Sequence, residues 1–340
     1  MDSASLTGAR QGAPLWDAAH RQQRVQVFGA SRAVGRELTA ELLRHGHPVG
    51  SLQLFGRRQA AFSWGGEQLR VETLPDVPPP AELAFVCTPR DLGRDLVRAL
   101  LARGTRVVDL SGAAAEDASV PFVVESVNGD EIGAFSEVVA LPSRSAMPLG
   151  RLLWSLEREV GLEEVDVFAV VAAASEGARG ILAVREERAA ATAGEEPRES
   201  HRRLGNLLPP RGEEGHEIER LVAQDIRRIL KRPDLSLDFL AMEGDAERCD
   251  AFAVKAKLRG ALAPGDAAAL FAREPLVLVD RSSAGPAPAT CSGSDRVHVG
   301  RIRAGSGGAR SLCFFAVADQ IRAGATSAAL RVASRLPAGG

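Results

Sequence analysis

Apolar positions along the chain repeat a strand, turn and helix unit. Val25, Val27 and Phe28 run into Gly29, and Val34, Leu38, Leu42 and Leu43 then recur at helical spacing as far as Gly46, a residue suited to a helix C-cap. The pattern predicts further strands over 52–55, 83–87 and 106–110 and a helix over 92–101 that ends near Gly104. Between the strands at 52–55 and 83–87, Gly65-Gly66 reads as a hairpin turn and Pro78-Pro79-Pro80 as a breaker. Strands that are apolar throughout and alternate with helices imply a parallel sheet covered on both faces.

After about Ala140 the rhythm changes. Leu149, Leu152, Leu153, Leu156 and Val160 predict a helix over 148–160, and a long apolar run over 165–173 predicts a strand. A polar stretch over 180–203 is helical or disordered. An amphipathic helix over 218–230, with Ile218, Leu221, Val222, Ile226 and Ile229 on one side, stops before Pro233. Extended segments follow at 251–258, 276–279, 297–302 and 312–317, with a short helix over 266–271 and a closing helix over 319–336. This half reads as an α+β layer. Residues 1–23 show no sustained period and are expected to form a flexible tail.

Composition narrows the choice of function more than the choice of fold. At 340 residues the chain has room for two domains of about 100–200 residues each. Its 42 basic and 44 acidic side chains leave a net charge of −2, which gives no electrostatic case for nucleic acid. No apolar run of about 18 residues suggests a membrane span, and the first residues lack the apolar core of a secretion signal, so a cytoplasmic protein is expected. Cys87, Cys249, Cys291 and Cys313 are too dispersed for a zinc site and read as free thiols. The runs Glu186-Glu187-Arg188 and Glu213-Glu214 read as solvated faces, and His20, His45, His47, His201, His216 and His298 as surface residues.

The candidate chemistry lies at the first strand-to-helix turn. Gly29, Ser31, Arg32, Ala33, Val34 and Gly35 occupy the place where backbone N–H groups and a helix N-terminus meet a pyrophosphate. The spacing is GxxxxxG, with Arg32 in the middle. That side chain either blocks close approach or brings a guanidinium to the phosphates. Arg57 and Arg58 follow the second strand, where a 2′-phosphate would select NADP over NAD; alternatively they belong to a solvated loop.

Four segments, in order, resemble the aspartate-semialdehyde dehydrogenase family. They are GASRAVGRELTAELLRHGHPVGSLQLFGRR (29–58), VVDLSGAAAEDASVPFVVESVN (107–128), IERLVAQDIRRIL (218–230) and AVADQIRAGATSAALRVASRL (316–336). The resemblance implies a Rossmann-type nucleotide-binding domain over 24–142, an α+β dimerisation domain over 143–318, and a C-terminal helix over 319–336 that returns to the first domain. It also implies a homodimer and NADP as a possible cofactor, with a nucleotide or other small molecule as ligand. The family's cysteine nucleophile aligns with Arg144 in LPSRSA (141–146), and arginine is permanently protonated. Its orienting glutamine falls near Ala172, its substrate arginine near Met242, its general base near Cys249 and its phosphate arginine among Ala113, Ala114 and Ala115.

The expectation is therefore a protein most like the family's cysteine-lacking bacterial branch, catalytically inactive and acting as a scaffold or a ligand- or partner-binding protein. The alternative is an NADP-dependent semialdehyde dehydrogenase of amino-acid biosynthesis with Cys87 or Cys249 as a relocated nucleophile. Either thiol also reads as buried and structural. Arg144 itself suits a carboxylate or phosphate, and reads equally as an outward-facing or internally paired arginine.

Overall fold

The computed structural model describes residues 16–195, 202–210 and 212–337. The first sheet contains β1 (Val25–Phe28), β2 (Leu52–Gly56), β3 (Ala60–Trp64), β4 (Glu67–Thr73), β5 (Leu83–Val86), β6 (Arg106–Asp109) and β7 (Val138–Ala140). Its order is β3-β4-β2-β1-β5-β6-β7. Val25 of β1 pairs in parallel with Leu52 on one side and Leu83 on the other. Every residue of β1 and β5 is buried, as expected for central strands covered on both faces. The helices of this half are α1 (Ala18–Arg21), α2 (Ala33–Arg44), α3 (Arg90–Leu101) and α4 (Glu125–Asn128). The glycine pair forms the expected hairpin: Gly65 and Gly66 have φ of 58° and 88° and join β3 to β4.

The second half opens with α5 (Ala146–Val160) and β8 (Leu162–Val171), then α6 (Ala178–Thr192) and α7 (Gly212–Ile229). Next come β9 (Ser236–Glu243), β10 (Cys249–Leu258), α8 (Pro264–Ala272), β11 (Val277–Asp280), α9 (Pro288–Cys291), β12 (Val297–Gly305) and β13 (Gly308–Asp319). These strands form a sheet ordered β11-β12-β13-β10-β8-β9. Alternation sorts its faces: Val165, Val167, Leu237 and Phe239 are buried, while Phe168 and Leu240, paired across β8 and β9, are 48% and 49% exposed. None of the described helices is long and apolar enough to cross a membrane.

Three expectations need correction. The expected tail does not extend to Gln23, because the chain is packed from Trp16 onward; residues 1–15 lie outside the described residues. Trp16 is fully buried, and its indole Nε1 donates to His47 Nδ1 at 3.1 Å. His20 lies against the Trp16 ring with centroids 5.0 Å apart, and its Nε2 is 3.3 Å from the Leu336 carbonyl. The expected surface placement of the histidines therefore fails for His20 and His47, and His201 lies outside the described residues.

The closing helix also starts later than 319. β13 runs to Asp319, whose carboxylate accepts the N–H groups of Gly293, Ile321 and Arg322 and so ends the strand in a turn. A π-helical turn, Arg322–Thr326, then leads into α10 (Ser327–Ala333), which packs on α2, α4 and β6 of the first half. Nearby, α2 is tied to the second sheet by ion pairs. Glu37 meets Arg248 at 3.0 Å and Arg322 at 3.2 Å, and Glu41 meets Arg322 at 2.8 Å.

The buried His47 gives a pH prediction. Burial pulls its imidazole down to about 4 from the ordinary 6.5, so between those values the unfolded chain binds a proton that the folded chain does not. Stability therefore falls as pH drops through this window. Urea unfolding should show about 2 kcal/mol less stability at pH 5 than at pH 7 from this group. His47→Gln should flatten that dependence; an unchanged slope would mean that other groups set it.

Candidate functional site

The first turn is built for close backbone approach. Gly29 has φ of +83°, and a Cβ there would stand 2.6 Å from the Cys87 carbonyl oxygen. A Cβ on Gly35 would stand 2.3 Å from the Gly29 carbonyl oxygen, so α2 sits directly on the loop. The Gly29 and Ala30 N–H groups donate to the Phe55 carbonyl at 2.8 and 2.9 Å, which fixes the loop against the end of β2. No side chain caps α2, leaving its first-turn N–H groups available for an anion.

Arg32 and the Arg57-Arg58 pair now have definite positions. Arg32 is exposed, and its Cδ lies 3.3 Å from where a Gly29 Cβ would be, so the stem runs over the loop. Gly56 is pressed against Ser31, with a Cβ there 2.9 Å from Ser31 Oγ, which brings the end of β2 to the same loop. Arg57 and Arg58 follow it, both exposed. No hydrogen bond or ion pair engages the side chains of Arg32, Arg57 or Arg58 among the described residues; of the three, Arg32 lines the cleft beside α2.

The loop opens on a cleft of about 330 Å³, lined among others by Ser31, Arg32, Cys87, Thr88, Arg144 and Arg179. The structure therefore brings the phosphate-type loop and Arg144 to one site. Arg144 Nη1 donates to the Ala174 carbonyl at 2.9 Å and Nη2 to the Ser175 carbonyl at 3.0 Å. Of the three readings open to it, it takes the internal partner, and burial pulls its pKa down.

Two carboxylates hold the Arg144 loop from behind. Asp225 Oδ2 accepts the Ser143 N–H at 2.7 Å, and Asp250 Oδ2 accepts the Ser145 hydroxyl at 2.7 Å. Asp250 Oδ1 takes the Ala172 N–H at 2.8 Å and Gln320 Nε2 at 2.6 Å. Burial pushes both carboxyl groups up from the usual range. Gly324, in the π-helical turn, closes the arrangement: a Cβ there would be 2.5 Å from the Arg144 carbonyl oxygen. Ala172 thus contributes a backbone N–H to this network.

Cys87 lines the cleft but is only 6% exposed, and burial, followed by the charge of Asp109, pushes its thiol up to about 12. Cys249 is 1% exposed, does not line the cleft, and is also pushed up by burial. No histidine lines the cleft. Ala113 and Ala114 are buried, and Met242 lies within β9. Among the described residues no cluster of three or more His, Cys, Asp or Glu residues is arranged to hold a metal.

Residues 24–135 match the family model for the semialdehyde dehydrogenase NAD-binding domain, and residues 153–323 match that for the semialdehyde dehydrogenase dimerisation domain. The chain belongs to the semialdehyde dehydrogenase family. Two relatives show the breadth of the likeness. The USG-1 protein homolog of Azotobacter vinelandii is 25% identical over 92% of this chain and 97% of that protein. An aspartate-semialdehyde dehydrogenase of Aquifex aeolicus is 24% identical over the same shares. In three dimensions, aspartate semialdehyde dehydrogenase II from Vibrio cholerae superposes with a TM-score of 0.85 at 22% identity, over 92% of this chain and 97% of that one, and so shares the fold. The family's NAD-binding domain contains the glycine loop, and its dimerisation domain contains the second sheet.

Proposed function

We propose that this chain binds a dinucleotide of the NADP class in the cleft and does not carry out acylating dehydrogenation, serving instead as a ligand- or partner-binding member of its family. The observation that carries this reading is Arg144. At the position aligned with the family's thiol, its guanidinium is held by the Ala174 and Ser175 carbonyls. Bound NADP would supply a hydride acceptor. The chain's own residues suit its binding: α2 offers uncapped N–H groups to the diphosphate, and Arg57 and Arg58 are free to pair with a 2′-phosphate. In this reading the protein is a cytoplasmic homodimer, joined through the outward sheet face that carries Phe168 and Leu240.

The alternative is a semialdehyde dehydrogenase that uses Cys87, and its place on the cleft wall favours that reading. A thiol pushed up to about 12 is only on the order of 10⁻⁵ ionised at neutral pH, and no histidine lines the cleft to take its proton.

Two assays separate these readings. Protein with NADP, phosphate and aspartate semialdehyde should form no NADPH above a blank, and turnover that disappears in Cys87→Ala would establish the alternative. NADP should raise the melting temperature more than NAD does, and an Arg57→Glu/Arg58→Glu variant should lose that preference. No thermal response to millimolar NADP would refute cofactor binding. Arg144→Cys alone should remain inactive, because no base accompanies the new thiol.

A further inference from the structure

Charged side chains cluster where α2 meets the second half of the chain. Glu37 of α2 pairs with Arg248 at 3.0 Å and with Arg322 at 3.2 Å. Glu41, one turn further along α2, pairs with Arg322 at 2.8 Å and with Arg44 of its own helix. From the other side, Asp319 holds Arg248 at 2.8 Å and Asp295 holds Arg322 at 2.7 Å. Arg322 thereby joins α2, the loop before β12 and the π-helical turn that it opens. The Asp319 side chain is fully buried and that of Glu41 only 7% exposed, so water and salt screen these pairs weakly.

Both ends of this clamp lie next to walls of the cleft. Glu37 stands one helical turn beyond Ala33 and Val34, and Arg322 stands two residues before Gly324 and Ala325; those four residues all line the cleft. Each wall is close-packed. A Cβ on Gly35 would meet the Gly29 carbonyl oxygen at 2.3 Å, and one on Gly324 would meet the Arg144 carbonyl oxygen at 2.5 Å. With so little room inside either wall, a change at the clamp is passed on to the wall as a whole. α10 also packs on α2, so the halves stay joined when the clamp is broken.

We infer that Arg322 is a positioning residue for the cleft. Through Glu37 and Glu41 it fixes the N-terminal turn of α2, and with it the N–H groups of the glycine loop, against the wall formed by Gly324 and Arg144. Binding of a nucleotide there rests on the function proposed above. The positioning does not, because it concerns the loop with or without a ligand.

Hydrogen exchange on the ligand-free protein, read by mass spectrometry, tests it. Arg322→Met should speed exchange over 30–36 and 323–326 by about tenfold. Arg232→Met, which breaks ion pairs with Glu157 and Asp234 elsewhere in the second half, should leave both segments unchanged. Arg322→Lys keeps the charge without the planar fork and should fall between, which answers the question even if the methionine variant fails to fold. Titration adds a readout that mere loss of stability would not move: NADP and NAD should both weaken about tenfold in Arg322→Met with their ratio kept, since the loop meets the diphosphate common to both. Wild-type exchange over both segments in Arg322→Met and Arg322→Lys would overturn the inference, as would unchanged affinities beside a wild type that binds. A wild type that binds neither nucleotide refutes the proposed function, and the exchange rates still decide the positioning.

Discussion

Gly35→Ala is expected to lose NADP-induced stabilisation and to melt at least about 6 °C below the wild type, corresponding to roughly 3 kcal/mol. The cause is steric and has no inexpensive remedy. A Cβ on Gly35 would stand 2.3 Å from the Gly29 carbonyl oxygen and 2.9 Å from the Ala30 Cα, both backbone atoms of the loop proposed to meet the phosphates. Relief requires α2 to move away from β1, and the first-turn N–H groups move with it. Gly50→Ala is the control, because nothing lies within 4 Å of a Cβ there; it should be neutral or slightly stabilising. Thermal melts with and without NADP measure both effects. A Gly35→Ala protein that melts and binds like the wild type would disprove this account of the loop.

Asp250→Ala is expected to cost about 3–5 kcal/mol in urea unfolding. Its carboxylate is the common acceptor for the Ser145 hydroxyl, the Ala172 N–H and Gln320 Nε2, all within 2.8 Å. Removing it strands three buried donors at the junction of α5, β8 and the segment after β13. Asp250→Asn keeps one acceptor and should fall between the two. The Ser145 end lies next to Arg144, so the alanine variant should also loosen the turn at 173–176, seen as faster proteolysis there. Wild-type stability in Asp250→Ala would show that water replaces the carboxylate without loss.

The sequence made the architecture readable where one period dominates. β1 with α2, and the hairpin at Gly65-Gly66, follow from apolar spacing and from the positive φ that glycine permits. β9 is readable too, since Leu237, Phe239 and Ala241 alternate with exposed positions over an eight-residue strand, but the expected elements do not include it. The late start of the closing helix was not readable, because Asp319 ends β13 by capping backbone groups of Gly293, Ile321 and Arg322, and the loop that contributes Gly293 is distant in sequence. Trp16 in an apparent tail shows the same limit. Its partner is His47, 31 residues away.

The site divides similarly. The glycine loop and Arg144, which the structure brings to one cleft, were visible from motif order. The partners of Arg144 were not, since they are backbone carbonyls about thirty residues downstream and no side-chain pattern marks them. Asp250 carries no local signal, because its partners Ser145, Ala172 and Gln320 are all distant in sequence. Arg151 interrupts an apolar helix, between Leu149 and Leu152, where helical spacing alone gives no account of its burial.

The two bonds from Arg144 also bear on how this lineage can change. A cysteine placed at that position is too short to reach the Ala174 and Ser175 carbonyls, so the turn at 173–176 loses two of its ties and keeps those of the Ala173 and Ala174 N–H groups to Ala246 and Glu247. Under the function proposed above, a change to a thiol there therefore carries a stability loss with no activity to offset it. Selection would meet that loss before any benefit. The arginine is thus entrenched by its surroundings, and any exchange at residue 144 would have to begin with changes in the turn.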